Sequence, residues 1–183
     1  GSSSTAFVRH SNEPSTSGEG IDLSDISLTG AQEQLIRSVC ATGKPVVVVL
    51  VAGKPFAIPY IKEKVPAILA QWYAGEQAGN SIADILFGKV NPSGKLPFSF
   101  PQSTGHLPTY YNYLPTDKGY YKEPGTYTSP GRDYVFSSPA PLWAFGHGLS
   151  YTRFEYVQAT TDKTSYQPHD TIYISVKVKN SGK

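Results

Sequence analysis

The chain has 183 residues, enough to bury one full core and at most a fragment of a second. Its formal charge of +2 comes from scattered Lys and Arg, so no nucleic-acid partner is expected. The longest apolar run, PVVVVLVAG, falls well short of a membrane span, and the single cysteine, Cys40, excludes an internal disulfide.

The chain lacks methionine and a signal-peptide pattern, and KVKNSGK breaks off within a strand-and-turn pattern, so it reads as part of a longer polypeptide. In chain order, TAFVRH (Thr5 to His10) is short and apolar enough for a strand, and a Gly/Ser/Pro-rich loop carrying Glu13 and Glu19 follows. TGAQEQLIRSVCATG predicts a helix with Thr29 as N-cap and Gln32 completing a capping box. Ala31, Leu35, Ile36, Val39 and Cys40 share its core face, and Gly43 ends it. Cys40 on that stripe is read as a core residue, because no flanking base lowers its pKa.

KPVVVVLVAG has the continuous β-branched pattern of a strand covered on both faces. IPYIKEKV predicts a short helix and PAILAQWY a second buried strand. GEQAGNSIADILFG predicts a helix with Ala78, Ile82, Ala83, Ile85 and Leu86 inward and Gly88 as its stop, and GKLPFSFP closes the series. Alternating strands and helices imply an α/β fold with a mainly parallel sheet between helical layers. In such a sheet ligands sit beyond the carboxyl ends of the strands, so the loops 11–20, 52–55 and 74–79 should gather on one rim, with Glu19 among them.

From Thr109 to Phe136 the chain is rich in Tyr, Pro and Gly without periodicity, as a strap laid over the domain would be. Its tyrosines (Tyr110, Tyr111, Tyr113, Tyr120, Tyr121, Tyr127, Tyr134) could stack on sugar rings. Alternatively, they pin the strap by burying ring area, and this reading is preferred. After Tyr151, FEYVQATTDKTSY and DTIYISVKVKN alternate as β-sandwich strands do, too few to close a core.

Several familiar sites are struck out. GEGID lacks the third glycine of a dinucleotide loop, and GEQAG carries Gln77 where a nucleophile elbow needs serine. His10, His106, His147 and His169 lack metal-ligand spacing, so no metal is expected. Glu76 is read as capping the helix that follows it. Glu19 lies between two glycines, which let the backbone approach a bulky substrate. It is either a solvated charge or a general acid whose surroundings raise its pKa, and Glu13 is its rival.

GEGIDLSDISLTGAQEQLI, ATGKPVVVVLVAGKP, VPAILAQWYAGEQAGNSIADILFGKVNPSGKLPFSFP, LPTYYNY and FGHGLSYTRFEY together resemble the C-terminal part of glycoside hydrolase family 3, nearest its bacterial β-glucosidases and β-xylosidases. The resemblance spans Thr5 to Lys183; the segment from Ala83 to Pro101 with FGHGLSYTRF is its most specific part. It implies a three-layer α/β/α sandwich over residues 1–108, a Tyr/Pro/Gly-rich strap over 109–152, and the start of a fibronectin type III-like domain over 153–183. It further implies a retaining mechanism in which an aspartate on an absent (β/α)8 barrel of the same polypeptide is the nucleophile. Glu19, in the matching SGEGID segment, would be the acid/base. Many members carry Asp-Arg at Asp22-Leu23 and Pro-Gly at Thr29-Gly30, two places where this chain departs.

The expected substrate is a β-linked oligosaccharide, with no cofactor. The sugar and the localisation stay open, with the periplasm or secretion favoured over the cytoplasm. The rival function is a non-catalytic carbohydrate-binding or scaffolding module that uses the tyrosine strap; a nucleotide-binding α/β protein is disfavoured by the missing glycine pattern.

Overall fold

A computed structural model of the chain describes residues 23–112, 126–128, 137–138 and 140–182. The expected strand Thr5 to His10 lies outside them. The chain divides into two compact units, Gly1–Tyr73 with Phe98–Ala144, and Ala74–Pro97 with Phe145–Lys183. Among the described residues, no helix is long and apolar enough to cross a membrane.

In the first unit, helix α1 spans Gln32–Cys40. It starts later than a Thr29 cap would allow, because Gly30 takes a left-handed turn (φ 61°) and Ala31 becomes the N-cap. The two side chains of the expected capping box bind each other instead, Gln32 Nε2 donating to Thr29 Oγ1 at 3.2 Å. The stop is as expected: Gly43 has φ 71°, and its N–H donates to the Cys40 carbonyl.

Strands β1 (Val47–Leu50) and β2 (Ala67–Ala70) pair in parallel, with Val47 opposite Ala67 and Leu50 opposite Ala70. A parallel pair needs a crossover, and helix α2 (Pro59–Lys64) supplies it. Pro59 sits in its first turn, where a missing N–H costs nothing. Val65 turns extended, as the residue before Pro66 must, and ends it. Ile58 and Ile61 are fully buried, and Ile26, Val48, Leu50, Ala52, Ala57, Val65, Phe100 and Leu142 are buried around them.

Three burial expectations are corrected in this unit. β1 is covered on one face only: Val48 and Leu50 are buried, whereas Val47 is exposed and Val49 half-buried. The stripe on α1 is likewise uncovered, with Leu35 64% exposed and Cys40 half-buried. Apolar periodicity reports which residues share a face, not whether anything covers it, and Ile36 of α1 and Val49 of β1 both line a recess. β2 too is only partly buried. GKLPFSFP forms no strand; Pro97 and Pro101 cannot donate to a ladder, and only Phe100 bridges, antiparallel, to Trp143. Phe100 instead joins an aromatic cluster with Trp72, Phe98 and Trp143 at centroid spacings of 5.2–6.1 Å.

In the second unit, helix α3 spans Ala78–Leu86 and ends at Gly88, φ 73°, as expected. None of its residues is buried, although Ala78, Ile82, Ala83, Ile85 and Leu86 were expected inward; Phe87 just beyond is 88% exposed. What fixes this helix is polar. Tyr151 donates its hydroxyl proton to the Ile85 carbonyl at 2.7 Å, and Asn91 Oδ1 accepts from the Tyr151 N–H at 2.7 Å. Leu96 exchanges backbone bonds with His147 and Gly146, and a Cβ on Gly148 would collide with the Gly94 carbonyl. The motif FGHGLSY is thus clasped against NPSGKL. Strands β3 (Phe154–Thr161) and β4 (Ile174–Asn180) pair antiparallel with a register shift between Tyr156 and Gln158, and every residue of both is exposed.

Ile61→Ala, which empties a fully enclosed site, is expected to cost about 3 kcal/mol of stability. Leu35→Ala on the uncovered α1 stripe should cost under about 1 kcal/mol in the same denaturant titration. Equal losses would contradict this core assignment.

Candidate functional site

The parallel pairing of β1 and β2 directs both carboxyl ends to one rim. Gln71 extends the ladder, its N–H donating to the Leu50 carbonyl at 2.9 Å. The next residue, Trp72, has φ 59°, a conformation that costs a bulky side chain about 1–3 kcal/mol unless its surroundings hold it. Here the rings of Phe98 and Phe100 pack against the indole and hold it. The reversal lays the Tyr73 ring against Gly53, where an added Cβ would come within 2.7 Å of Cε2. A side chain at position 53 would therefore have to displace the Tyr73 ring from the neighbouring strand end.

Beside this contact lies the recess between α1 and β1, about 160 Å³. Ile36, Val49 and Phe56 give it an apolar lining, and Thr29, Gln32 and Lys54 a polar one. No carboxylate lines it among the described residues, so the recess alone holds no acid–base pair for hydrolysis.

The described chain begins close after Glu19, and its first feature is an anchor that sequence reasoning passed over. The Asp25 carboxylate accepts the Ser27 N–H at 2.9 Å and the Ser27 hydroxyl at 2.8 Å. Thr104 donates its hydroxyl proton to Asp25 Oδ1 at 3.2 Å, and the Ile26 N–H donates back to Thr104 Oγ1 at 3.2 Å. These bonds, with the Ser27 N–H foremost, hold the exposed Asp25 carboxyl below its ordinary pKa. An Asp followed two residues on by Ser was a legible turn signal. The partner at position 104 was not.

Glu19 and Glu13 lie outside the described residues, as do His10, Tyr113, Tyr120, Tyr121 and Tyr134. Glu76 does not cap α3: the N-cap is Gln77, with no side-chain capping bond, and Glu76 stands exposed before it. The positive φ of Gly75 starts the turn that displaces the cap by one residue. His106 is buried, with Nε2 2.8 Å from Ser137 Oγ, while His169 is exposed. Tyr110, Tyr111 and Tyr127 were expected to bury ring area and do not; Tyr110 is 61% exposed. No helix or strand forms at Thr109–Asn112 to turn those rings inward.

Comparison with known proteins gives these features a family. The profile of the Glycosyl hydrolase family 3 C-terminal domain matches residues 2–151. The chain is 42% identical over 172 residues to a beta-xylosidase of Formosa agariphila, covering 92% of this chain and 22% of that protein. It is 43% identical over 166 residues to the periplasmic beta-glucosidase of Salmonella typhimurium, covering 90% of this chain and 21% of that protein. Among solved structures, the beta-glucosidase of Listeria innocua superposes with a TM-score of 0.78 at 36% identity, over 90% of this chain and 22% of that one. The chain thus spans about a fifth of the length of these relatives. It has an α/β fold and belongs to glycosyl hydrolase family 3, a family of β-glycosidases, through its C-terminal domain.

Proposed function

We propose that the chain is the acid/base-bearing part of a retaining β-glycosidase that removes terminal β-linked sugars from oligosaccharides. The observation that carries this reading is the family match across residues 2–151, which includes the segment SGEGID with Glu19. In this reading residues 1–108 form a three-layer α/β/α sandwich, 109–152 a strap, and 153–183 the opening of a fibronectin type III-like domain. A (β/α)8 barrel elsewhere in the polypeptide supplies an aspartate nucleophile and grips the sugar.

The chemistry then divides between two carboxyl groups about 5–5.5 Å apart. Glu19, protonated, gives its proton to the glycosidic oxygen as the barrel aspartate attacks the anomeric carbon and the C–O bond breaks. As carboxylate it next takes a proton from water, which displaces the enzyme from that carbon and regenerates both groups. Such a residue works best with a pKa near the working pH, which withdrawal from water at a domain boundary would favour. A hinge of two glycines suits an acid that must reach a sugar held by another domain.

A second reading, a carbohydrate-binding or scaffolding module without catalysis, is favoured by the exposed rings of Tyr110, Tyr111 and Tyr127. One preparation separates the two. The 183-residue chain alone should hydrolyse no aryl β-glucoside, because one carboxylate cannot carry out a double displacement. Measurable turnover would overturn the division of labour, and saturable cello-oligosaccharide binding lost in Tyr110→Ala would favour the module. In the complete enzyme, Glu19→Gln is expected to lower cellobiose or xylobiose hydrolysis by about 10²- to 10⁴-fold, whereas Glu13→Gln should change it only a few-fold. Full turnover in Glu19→Gln would refute the assignment.

A further inference from the structure

Thr104 makes two hydrogen bonds to the segment that follows Glu19 in sequence, one to the Asp25 carboxylate and one from the Ile26 N–H. Asp25 stands six positions downstream of Glu19. Its carboxylate takes the Ser27 N–H and hydroxyl, which folds residues 25–27 into a tight turn. Thr104 Oγ1 donates to that carboxylate and accepts from the Ile26 N–H, so a single hydroxyl ties together the side chain of one residue and the backbone of the next. The Ile26 carbonyl accepts the Ala57 N–H at 2.9 Å, and the Ile26 side chain is buried.

The other partner is itself fixed. Thr104 opens the 3₁₀ turn Thr104–His106. The buried His106 ring meets Ser137 at 2.8 Å, and Thr109 donates its hydroxyl proton to the His106 carbonyl at 2.8 Å. A hydroxyl on a short, anchored turn therefore grips the chain at Asp25 and Ile26, six and seven positions after Glu19. A valine at position 104 would keep the volume but neither bond, leaving the Ile26 N–H without its acceptor.

We propose that Thr104, with Asp25, is a positioning residue for the general acid/base: it fixes the downstream end of the Glu19 loop, and with it the reach of that carboxyl to the leaving oxygen. The inference rests on the reading of Glu19 given above. Proton transfer depends steeply on placement, and a misplacement of about 1 Å can cost on the order of 10²-fold. A positioning residue acts through the acid/base, so its effect should fall on steps that need the proton and spare those that do not.

That selectivity is the test. In the complete enzyme, kcat/KM is measured for a disaccharide (cellobiose or xylobiose) and for the 2,4-dinitrophenyl β-glycoside of the same sugar, whose leaving group departs without protonation. Thr104→Val is expected to lower the disaccharide value by roughly tenfold and leave the dinitrophenyl value within about twofold. Thr104→Ser, which keeps the hydroxyl, should restore both, and Asp25→Ala should repeat the Thr104→Val pattern should that variant fail to fold. Equal losses on both substrates would reduce the clamp to a structural part and overturn the proposal, as would no loss on either. Glu19→Gln serves as the reference. A selective Glu19→Gln beside an unselective Thr104→Val refutes the clamp alone, and an unselective Glu19→Gln refutes the acid/base assignment together with it.

Discussion

The parallel pairing of β1 with β2 is the constraint on which the rest of the first unit depends. Parallel neighbours cannot be joined by a hairpin, so the chain must cross back, and α2 does so with Ile58 and Ile61 sealed from water. The same pairing brings two strand ends out at one edge. That edge is where Tyr73 lies on Gly53, and where the recess opens beside α1. Reversing one strand would undo the core and the rim together.

The two units are stabilised by different means. The first has an enclosed aliphatic centre and an aromatic cluster running from Trp72 to Trp143. The second has little enclosed apolar surface, and backbone and amide hydrogen bonds hold it: Asn91 to Ser150 and Tyr151, Tyr151 to Ile85, Leu96 to Gly146 and His147. This accounts for the specificity of two motifs far apart in sequence, since NPSGKL and FGHGLSY grip each other through backbone groups that tolerate little change in the glycines between them. Exposed apolar residues stand on α1 of the first unit and on α3, β3 and β4 of the second.

Much of the local structure was legible from spacing. Gly43 and Gly88 mark the ends of α1 and α3 because only glycine adopts positive φ without cost, and Pro59 and Pro66 bracket α2 by restricting their own and preceding backbones. Burial was less legible. The stripe Leu35–Ile36–Val39 has helical period, but period reports which residues share a face, not whether anything covers it. The start of α1 was misplaced because Gly30 left-handedness competes with the capping box at Thr29, and the prolines of GKLPFSFP keep its apolar residues out of a strand. At the candidate site, glycines flanking an acid were visible in the sequence, whereas the Asp25–Thr104 contact joins positions too distant for any local pattern.

The central claim is that Glu19 is the acid and base of a double displacement whose nucleophile lies elsewhere in the polypeptide. Its most direct test is anionic rescue in the complete enzyme. With the general base removed in Glu19→Ala, the glycosyl-enzyme formed from a 2,4-dinitrophenyl β-glycoside should accumulate. Added azide, which needs no deprotonation, should then restore turnover and release the β-glycosyl azide. Absence of rescue, or an α-glycosyl azide as product, would contradict the account.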